Sequence, residues 1–386
     1  MKLSIRSTFC LFVSLLLLVP THSLQAASPI FIPAAPSVAG TSYFLMDFDS
    51  SRVLAEKDPD KRVSPASLTK IMTVYVVFRE LKAGHLTLDE KVTISKNAWQ
   101  TGGSKMFVEV NKQVSIEDLL QGVIIQSGND ACVALAEHIA GSEQTFAAMM
   151  NEQASRLGMA NSHFENATGL PNPDHYSSAH DLALLAQAVI RDFPEYYRWD
   201  SQKEFTYNNI TQKNRNLLLW RDESVDGLKT GYTEDAGYCM VASAKREDMR
   251  LISVVMGTSS PIARANESQS LLNYGFRFFE THKLYGAGDQ LAETRVRKGE
   301  KSQLAVGLAE DLYVTAPRRH FNELKAETEI DKVIVAPISK GATVGTVNVT
   351  LADKVIISKR LVALDSVPEG GFFRRLYDAV LVLLER

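Results

Sequence analysis

The sequence predicts a mixed α/β (α+β) chain in which helices interleave with antiparallel strands, followed by a small all-β domain and a terminal amphipathic helix. Three observations carry that expectation. Apolar residues recur at helical spacing through Leu68, Ile71, Met72, Tyr75, Phe78 and Leu81. Short alternating runs flank turn residues within 43–55 and 238–256. Helical periodicity lapses near 281–289 and returns only at the C-terminus. A period near 3.6 buries one stripe of a helix and a period of two buries one face of a strand, so each pattern selects its element type.

In chain order, residues 43–55 read as strand, turn at Asp49-Ser50-Ser51 and strand, a hairpin that opens the fold. The first helical pattern stops at Gly84, and its helix is expected to begin close to Ser67. Ser115-Ile116-Glu117-Asp118 is a capping box, with Leu119, Leu120, Val123 and Ile124 supplying the buried stripe behind it. That helix ends near Ser127-Gly128-Asn129-Asp130, and residues 131–139 form a third, closed by Gly141. Residues 238–244 and 251–256, joined at Arg246-Glu247-Asp248, read as an antiparallel pair, and a long helix starts near Ile262. Within 296–367, runs such as Val347, Val349 and Leu351 are punctuated by Pro317, Pro337, Gly341 and Gly345, the pattern of a small β domain.

Both ends carry their own signals. Lys2 and Arg6 precede an apolar run over 9–19, then Pro20 and a polar stretch closing on Leu24-Gln25-Ala26-Ala27, the layout of a secretory signal cleaved after Ala26 or Ala27. The run falls short of the roughly 20 apolar residues that span a bilayer. At the other end Phe373, Leu376, Tyr377, Val380, Leu381 and Leu384 share one helical face, while Arg375, Asp378, Glu385 and Arg386 face away. Such a helix is expected to lie in the headgroup plane of a membrane; the other reading packs it on its own domain.

Composition narrows the function classes. With 45% apolar and 23% charged residues over 386 positions, the 22 Gly and 13 Pro exclude disorder, collagen and coiled coil. The formal charge is −3, and losing Lys2 and Arg6 with the leader makes it more acidic, which argues against a nucleic-acid partner. Cys10 leaves with the leader, so Cys132 and Cys239 remain, too few for a disulfide framework and with a pairing that spacing does not decide. Cys132 reads as a small core residue. The 8 histidines show no His-Glu-x-x-His pattern or Cys/His cluster, so no metal and no cofactor is expected.

The chemistry lies in three short motifs. Ser67-Leu68-Thr69-Lys70 puts a hydroxyl and an amine one helical turn apart on the same face. A serine nucleophile needs a nearby base, and lysine serves when burial, neighbouring positive charge and a helix N-terminus keep its amine neutral near pH 7. The helix start also frees the backbone N–H of Ser67 as half of an oxyanion hole. Ser127-Gly128-Asn129 adds a second hydroxyl for proton relay and an amide able to grip a peptide bond. Lys229-Thr230-Gly231 fits a strand edge: a positive charge, a hydroxyl, and a glycine that admits a substrate backbone, suited to a peptide ending in a carboxylate. Each tripeptide is common, but the ordered set is the signature of penicillin-binding proteins and class A β-lactamases.

On these motifs, together with His163-Phe164-Glu165-Asn166-Ala167-Thr168-Gly169-Leu170 and Val225-Asp226-Gly227-Leu228, the chain resembles a low-molecular-mass penicillin-binding protein of the serine-type D-alanyl-D-alanine carboxypeptidase family S11, over roughly 37–386. The resemblance implies a β-lactamase/transpeptidase-like domain at 37–283 with a five-stranded antiparallel sheet flanked by helices, a β-rich domain at 284–368 and a membrane-anchor helix at 369–386 behind a signal peptide at 1–27. It implies acylation of Ser67 and loss of the terminal D-alanine from the peptidoglycan pentapeptide, with β-lactam antibiotics as inhibitors, on the periplasmic side of the cytoplasmic membrane.

Carried over by residue, Ser67 is the nucleophile and Lys70 its base, and Ser127 and Lys229 move the proton to the leaving amine. Asn129 holds the acyl side of the substrate. Thr230, Arg215 and Arg264 recognise the terminal carboxylate beside Gly231, and the backbone N–H of Tyr232 is the second oxyanion donor. Tyr232 stands where this group often has histidine, which bears on fine substrate preference. The balanced charge of the tail departs from the basic tails of relatives and weakens electrostatic anchoring.

Three alternatives share parts of this pattern. A class A β-lactamase needs a glutamate in a Glu-x-x-Leu-Asn setting between the second and third motifs, whereas Glu165 precedes Asn-Ala-Thr and Glu195 precedes Tyr-Tyr-Arg. A DD-endopeptidase would use the same residues. A non-enzymatic envelope scaffold would have no need of Ser67, Lys70, Ser127 and Lys229.

Overall fold

The opening hairpin forms one side of the central sheet. The computed structural model describes residues 32–384, with side chains described through Asp378. The leader and the last two residues lie outside the described residues. The hairpin strands are β1 (Ser42–Asp47) and β2 (Val53–Lys57), and later segments add β3 (Val225–Thr233), β4 (Gly237–Arg246) and β5 (Met249–Thr258). They pair antiparallel in the order β2-β1-β5-β4-β3, so the strand carrying Lys229-Thr230-Gly231 is an edge.

Side-chain alternation divides the interior between the two faces of this sheet. Phe44, Met46, Val241, Ile252 and Val254 point into one core. Leu45, Met240, Ala242, Leu251 and Val255 point into the other. Helices cover both faces, which is why the central strands β1, β4 and β5 present apolar residues on both sides. The first core takes α1 (Lys70–Lys82), α2 (Ile116–Gln126), α3 (Asn129–Ala140), α4 (Glu143–Arg156) and α5 (Ala179–Asp192); the second takes α6 (Pro261–Phe278).

A 3₁₀ turn, Ala66–Thr69, leads into α1. Ser115 caps α2 by accepting the Asp118 N–H at 3.2 Å, as the capping box predicts, and α2 ends on Ser127 at φ +61°. α3 starts at Asn129, two residues before the sequence reading placed it, and Gly141 closes it at φ +74°. The sequence reading did not identify α4 or α5. α4 buries only Phe146, Ala147, Met150, Gln153 and Ala154, a sparse stripe.

The β domain begins with β6 (Phe279–Tyr285), which follows α6 without a break and pairs with β9 (Leu312–Pro317) across β7 (Gln290–Arg297) and β8 (Gln303–Gly307) in sequence. The expected division after residue 283 falls inside this strand. The remaining strands are β10 (Lys325–Ile330), β11 (Ile334–Val335), β12 (Thr343–Leu351) and β13 (Lys354–Ala363). A six-stranded sheet runs β10-β12-β13-β8-β7-β11 over a core that includes Val306, Val347, Val349 and Leu361. The tip of the opening hairpin is keyed to this domain: Thr281 donates to Asp47 Oδ2 at 2.7 Å, and Arg52 donates to the Thr315 carbonyl.

The chain closes on α7 (Phe372–Leu384). Phe373, 84% exposed, and the exposed Leu376 and Tyr377 turn the apolar face outward. Asp378, expected to face away into solvent, is instead buried, accepting the Lys298 N–H at 2.6 Å with the Arg297 guanidinium 4.0 Å away. A backbone donor and a cation stabilise the carboxylate there, so the polar side of the helix docks on the β domain. Among the described residues no helix is long and apolar enough to cross a membrane.

Candidate active site

The three motifs converge because α1, the α2–α3 junction and the edge strand β3 meet at one end of the sheet. Two glycines set the closeness of that meeting. A Cβ on Gly231 would stand 3.0 Å from the Pro65 carbonyl and 3.3 Å from Ala66 Cβ, so this glycine lets β3 press against the turn that carries Ser67. A Cβ on Gly169, whose φ is +80°, would collide with the Ala66 carbonyl. Ala66 at φ +47° and Ser127 at φ +61° hold left-handed backbone beside the reactive hydroxyls, a conformation that tertiary packing must enforce on residues with a Cβ.

Lys70 is fully buried. Its amine donates to Ser67 Oγ at 3.1 Å, to Asn129 Oδ1 at 2.7 Å and to the Thr168 carbonyl. Burial, with help from Arg215, holds its pKa below the usual lysine value, against the opposing pull of Cys132, Asp130 and Glu143. The neutral amine that a base requires is therefore promoted by its surroundings.

Asn129 was expected to hold the substrate, and here both ends of its amide are engaged within the protein. Oδ1 accepts from Lys70, and Nδ2 donates to the Gly102 carbonyl at 2.7 Å. Its position at the start of α3 explains this: the side chain spans from Lys70 to the loop opposite. Lys229 is also buried, and its amine donates to the Thr230 carbonyl at 3.0 Å. Burial first, then Lys70, Arg215 and Arg264, hold its pKa well below the usual value. The Ser127 hydroxyl, 2% exposed, has no hydrogen-bond partner among the described residues.

These groups border a cleft of about 540 Å³ lined by Ser67, Ser127, Asn129, Thr230, Gly231 and Tyr232, with Arg215 and Arg264 on its wall. Arg215 is exposed and donates to Ser104 Oγ at 2.8 Å. Arg264 is buried and donates to the Gly231 carbonyl at 3.0 Å, which fixes the strand as well as charging the wall. Tyr232 is 50% exposed and stacks on Tyr238 with ring centroids 4.2 Å apart. No Asp or Glu is among the residues lining the cleft, so its field favours an anionic ligand.

Sequence reasoning missed Thr168, Ser104 and Gly103 in this lining. It also missed His175, which joins Thr69 Oγ at 2.8 Å and accepts the Glu165 N–H at Nδ1. Only the stretch 163–170, singled out by resemblance, pointed at any of them. Cys132 and Cys239 are free and buried, and burial pushes the Cys132 thiol up to about 12, so it is an inert core group. One set of metal-type donors, Asp60, His180 and Asp181, lies outside the cleft. Asp181 already accepts the Asn161 N–H and the Ser162 hydroxyl, each at 2.7 Å.

Comparison with known proteins adds to this geometry. Residues 30–260 match the D-alanyl-D-alanine carboxypeptidase family, and residues 279–369 match the penicillin-binding protein 5 C-terminal domain. The chain is similar to the D-alanyl-D-alanine carboxypeptidase DacC of Escherichia coli, 47% identical over 356 residues that cover 90% of this chain and 89% of that one. It superposes on penicillin binding protein 5 from Haemophilus influenzae with a TM-score of 0.85 and 45% identity, covering 87% of this chain and 100% of that one. Penicillin-Binding Protein D2 from Listeria monocytogenes, solved in its cefotaxime-bound form, superposes with a TM-score of 0.59 and 28% identity over 63% of this chain and 100% of that one.

Proposed function

The chain belongs to the D-alanyl-D-alanine carboxypeptidase family and is a carboxypeptidase of that type, and we propose that it works through a serine acyl-enzyme formed on Ser67. The observation that carries this reading is the buried Lys70 amine, 3.1 Å from Ser67 Oγ at the edge of the cleft.

In the proposed reaction, Ser67 Oγ attacks the carbonyl between the two D-alanines and passes its proton to neutral Lys70. The Ser67 and Tyr232 backbone N–H groups receive the developing oxyanion; β3 is an edge strand, so alternate backbone groups of it face outward. Arg215, Thr230 and Arg264 hold the terminal carboxylate. The Ser127 hydroxyl, without a partner among the described residues, bridges toward Lys229 once substrate is seated and delivers the proton to the departing D-alanine. Water then releases the shortened peptide from Ser67.

Peptidoglycan is the substrate, and β-lactams bind in the same cleft as mimics of the dipeptide. The absence of an acidic side chain from the lining favours a long-lived penicilloyl-enzyme over a lactamase, since no carboxylate stands ready to activate water. Export by the leader and attachment to the periplasmic face of the membrane through α7 complete the proposal, supported by the outward apolar face of that helix. Release of D-alanine from a peptide ending in D-Ala-D-Ala, assayed for the native protein and for Ser67→Ala, tests the reading. The native protein should release it and the variant should not; release by both would remove Ser67 as nucleophile.

A further inference from the structure

Beside the cleft residues lies a small space of about 10 Å³ lined by Lys70, Lys229 and Asp200 together with apolar side chains, Ile71, Val123 and Leu228 among them. A space of about that size takes one water molecule when polar groups face it. Asp200 is 5% exposed, and its Oδ2 has no hydrogen-bond partner among the described residues. A carboxyl buried in that condition costs free energy unless something answers it.

The turn that carries the carboxyl is packed against the strand that carries the lysine. Asp200 sits in the turn Arg198–Ser201. A Cβ on Gly227 would come within 3.2 Å of Asp200 Cβ, so the turn presses on β3 two residues before Lys229. The neighbouring acid, Asp226, is already balanced: Arg250 pairs with it at 2.8 Å and the Tyr197 hydroxyl donates to it at 2.6 Å. The charges acting on Lys229 come from Lys70, Arg215 and Arg264, with Cys132 opposing them. Burial first and Asp226 next drive the Asp200 carboxyl well above its usual range, while Lys229 opposes them. The lysine is driven down by burial and its cationic neighbours. Lys229 is the cation that opposes the rise at Asp200, so the two groups interact.

We propose that Asp200 is a positioning residue for Lys229, its carboxyl and one water in the void holding the lysine amine and sharing one proton with it. The transfer conserves atoms and charge: the Lys229 ammonium gives a proton to the water, the water gives one to the Asp200 carboxylate, and the reverse restores the ion pair. Asp200 touches no substrate. This assignment rests on the acyl-enzyme reading of the cleft, because it acts through Lys229.

The test is the pH profile of benzylpenicillin acylation for the native protein and for Asp200→Asn, which keeps the shape and cannot ionise. Without a counter-carboxylate the Lys229 ammonium is less stable, so the limb on which Lys229 loses its proton should move to lower pH by about one unit, with acylation about tenfold slower beyond it. Superimposable profiles, or a uniform loss at every pH, would overturn the assignment. If Asp200→Asn does not fold, Asp200→Ser gives the same reading. D-alanine release by the native protein is measured alongside: its failure overturns the reading of the cleft, whereas its success with an unshifted variant profile overturns only the role of Asp200.

Discussion

Asn129 Oδ1 accepts a hydrogen bond from Lys70 Nζ at 2.7 Å, shorter than the 3.1 Å between that amine and Ser67 Oγ. The middle motif therefore orients the Lys70 amine, the base in the proposed mechanism, before any substrate arrives. A neutral amide can do this without charging the amine, which a carboxylate cannot.

Asn129→Asp should expose that difference. A carboxylate at this distance favours the Lys70 ammonium, so acylation by benzylpenicillin at pH 7 should fall by about 10²-fold or more. It should recover as pH rises and the lysine is forced to lose its proton. Stopped-flow acylation from neutral to alkaline pH gives the answer, with Asn129→Ala showing loss without such recovery; an unshifted Asn129→Asp profile would contradict the orienting role.

His175 gives the fold an acid-sensitive point beside Thr69, in the turn that carries Ser67. Burial, then the charges of His163 and Lys70, lower its pKa to about 4, against about 6.5 unfolded. Between those values the unfolded state binds more protons, so stability is full above the unfolded value and is lost as pH falls toward the folded one. The loss amounts to about 3 kcal/mol at most. Urea unfolding across this range should show the decline in the native protein and a shallower one in His175→Gln; equal slopes would show that His175 is not its source.

We propose that the terminal helix attaches the chain to a membrane surface and takes no part in catalysis. Ending the mature chain at Pro368 removes the exposed Phe373, Leu376 and Tyr377 and leaves the cleft intact. The shortened protein should lose sedimentation with phospholipid vesicles and keep its rate of D-alanine release. Continued vesicle binding would move the membrane contact elsewhere on the chain.

Much of this was legible because it is local. Ser67 and Lys70 share a turn, the capping box at Ser115 names its own partner, and alternation at Val347, Val349 and Leu351 marks a strand whatever it packs against. The five-stranded sheet and the convergence of three motifs came from resemblance, since no local pattern brings β3 beside β4 and the Ser67 turn. Where side chains act across the fold, the sequence was silent or misleading. Asn129, expected as a substrate contact, also holds Lys70 across the interior, a link that no local pattern shows. Gly231 looked like room for substrate and is also room for Pro65 and Ala66. Asp378 looked solvent-facing because a helical wheel does not show the Lys298 N–H. α4 escaped notice because its short buried stripe is set in polar sequence.

The most direct measurement is intact-mass spectrometry of the leaderless protein with benzylpenicillin over time, followed by peptide mapping of the adduct. The expected result is one persistent penicilloyl adduct on Ser67, absent from Lys70→Ala while that variant still unfolds cooperatively. No adduct, an adduct on another residue, or rapid acylation of Lys70→Ala would contradict a Ser67 nucleophile activated by Lys70.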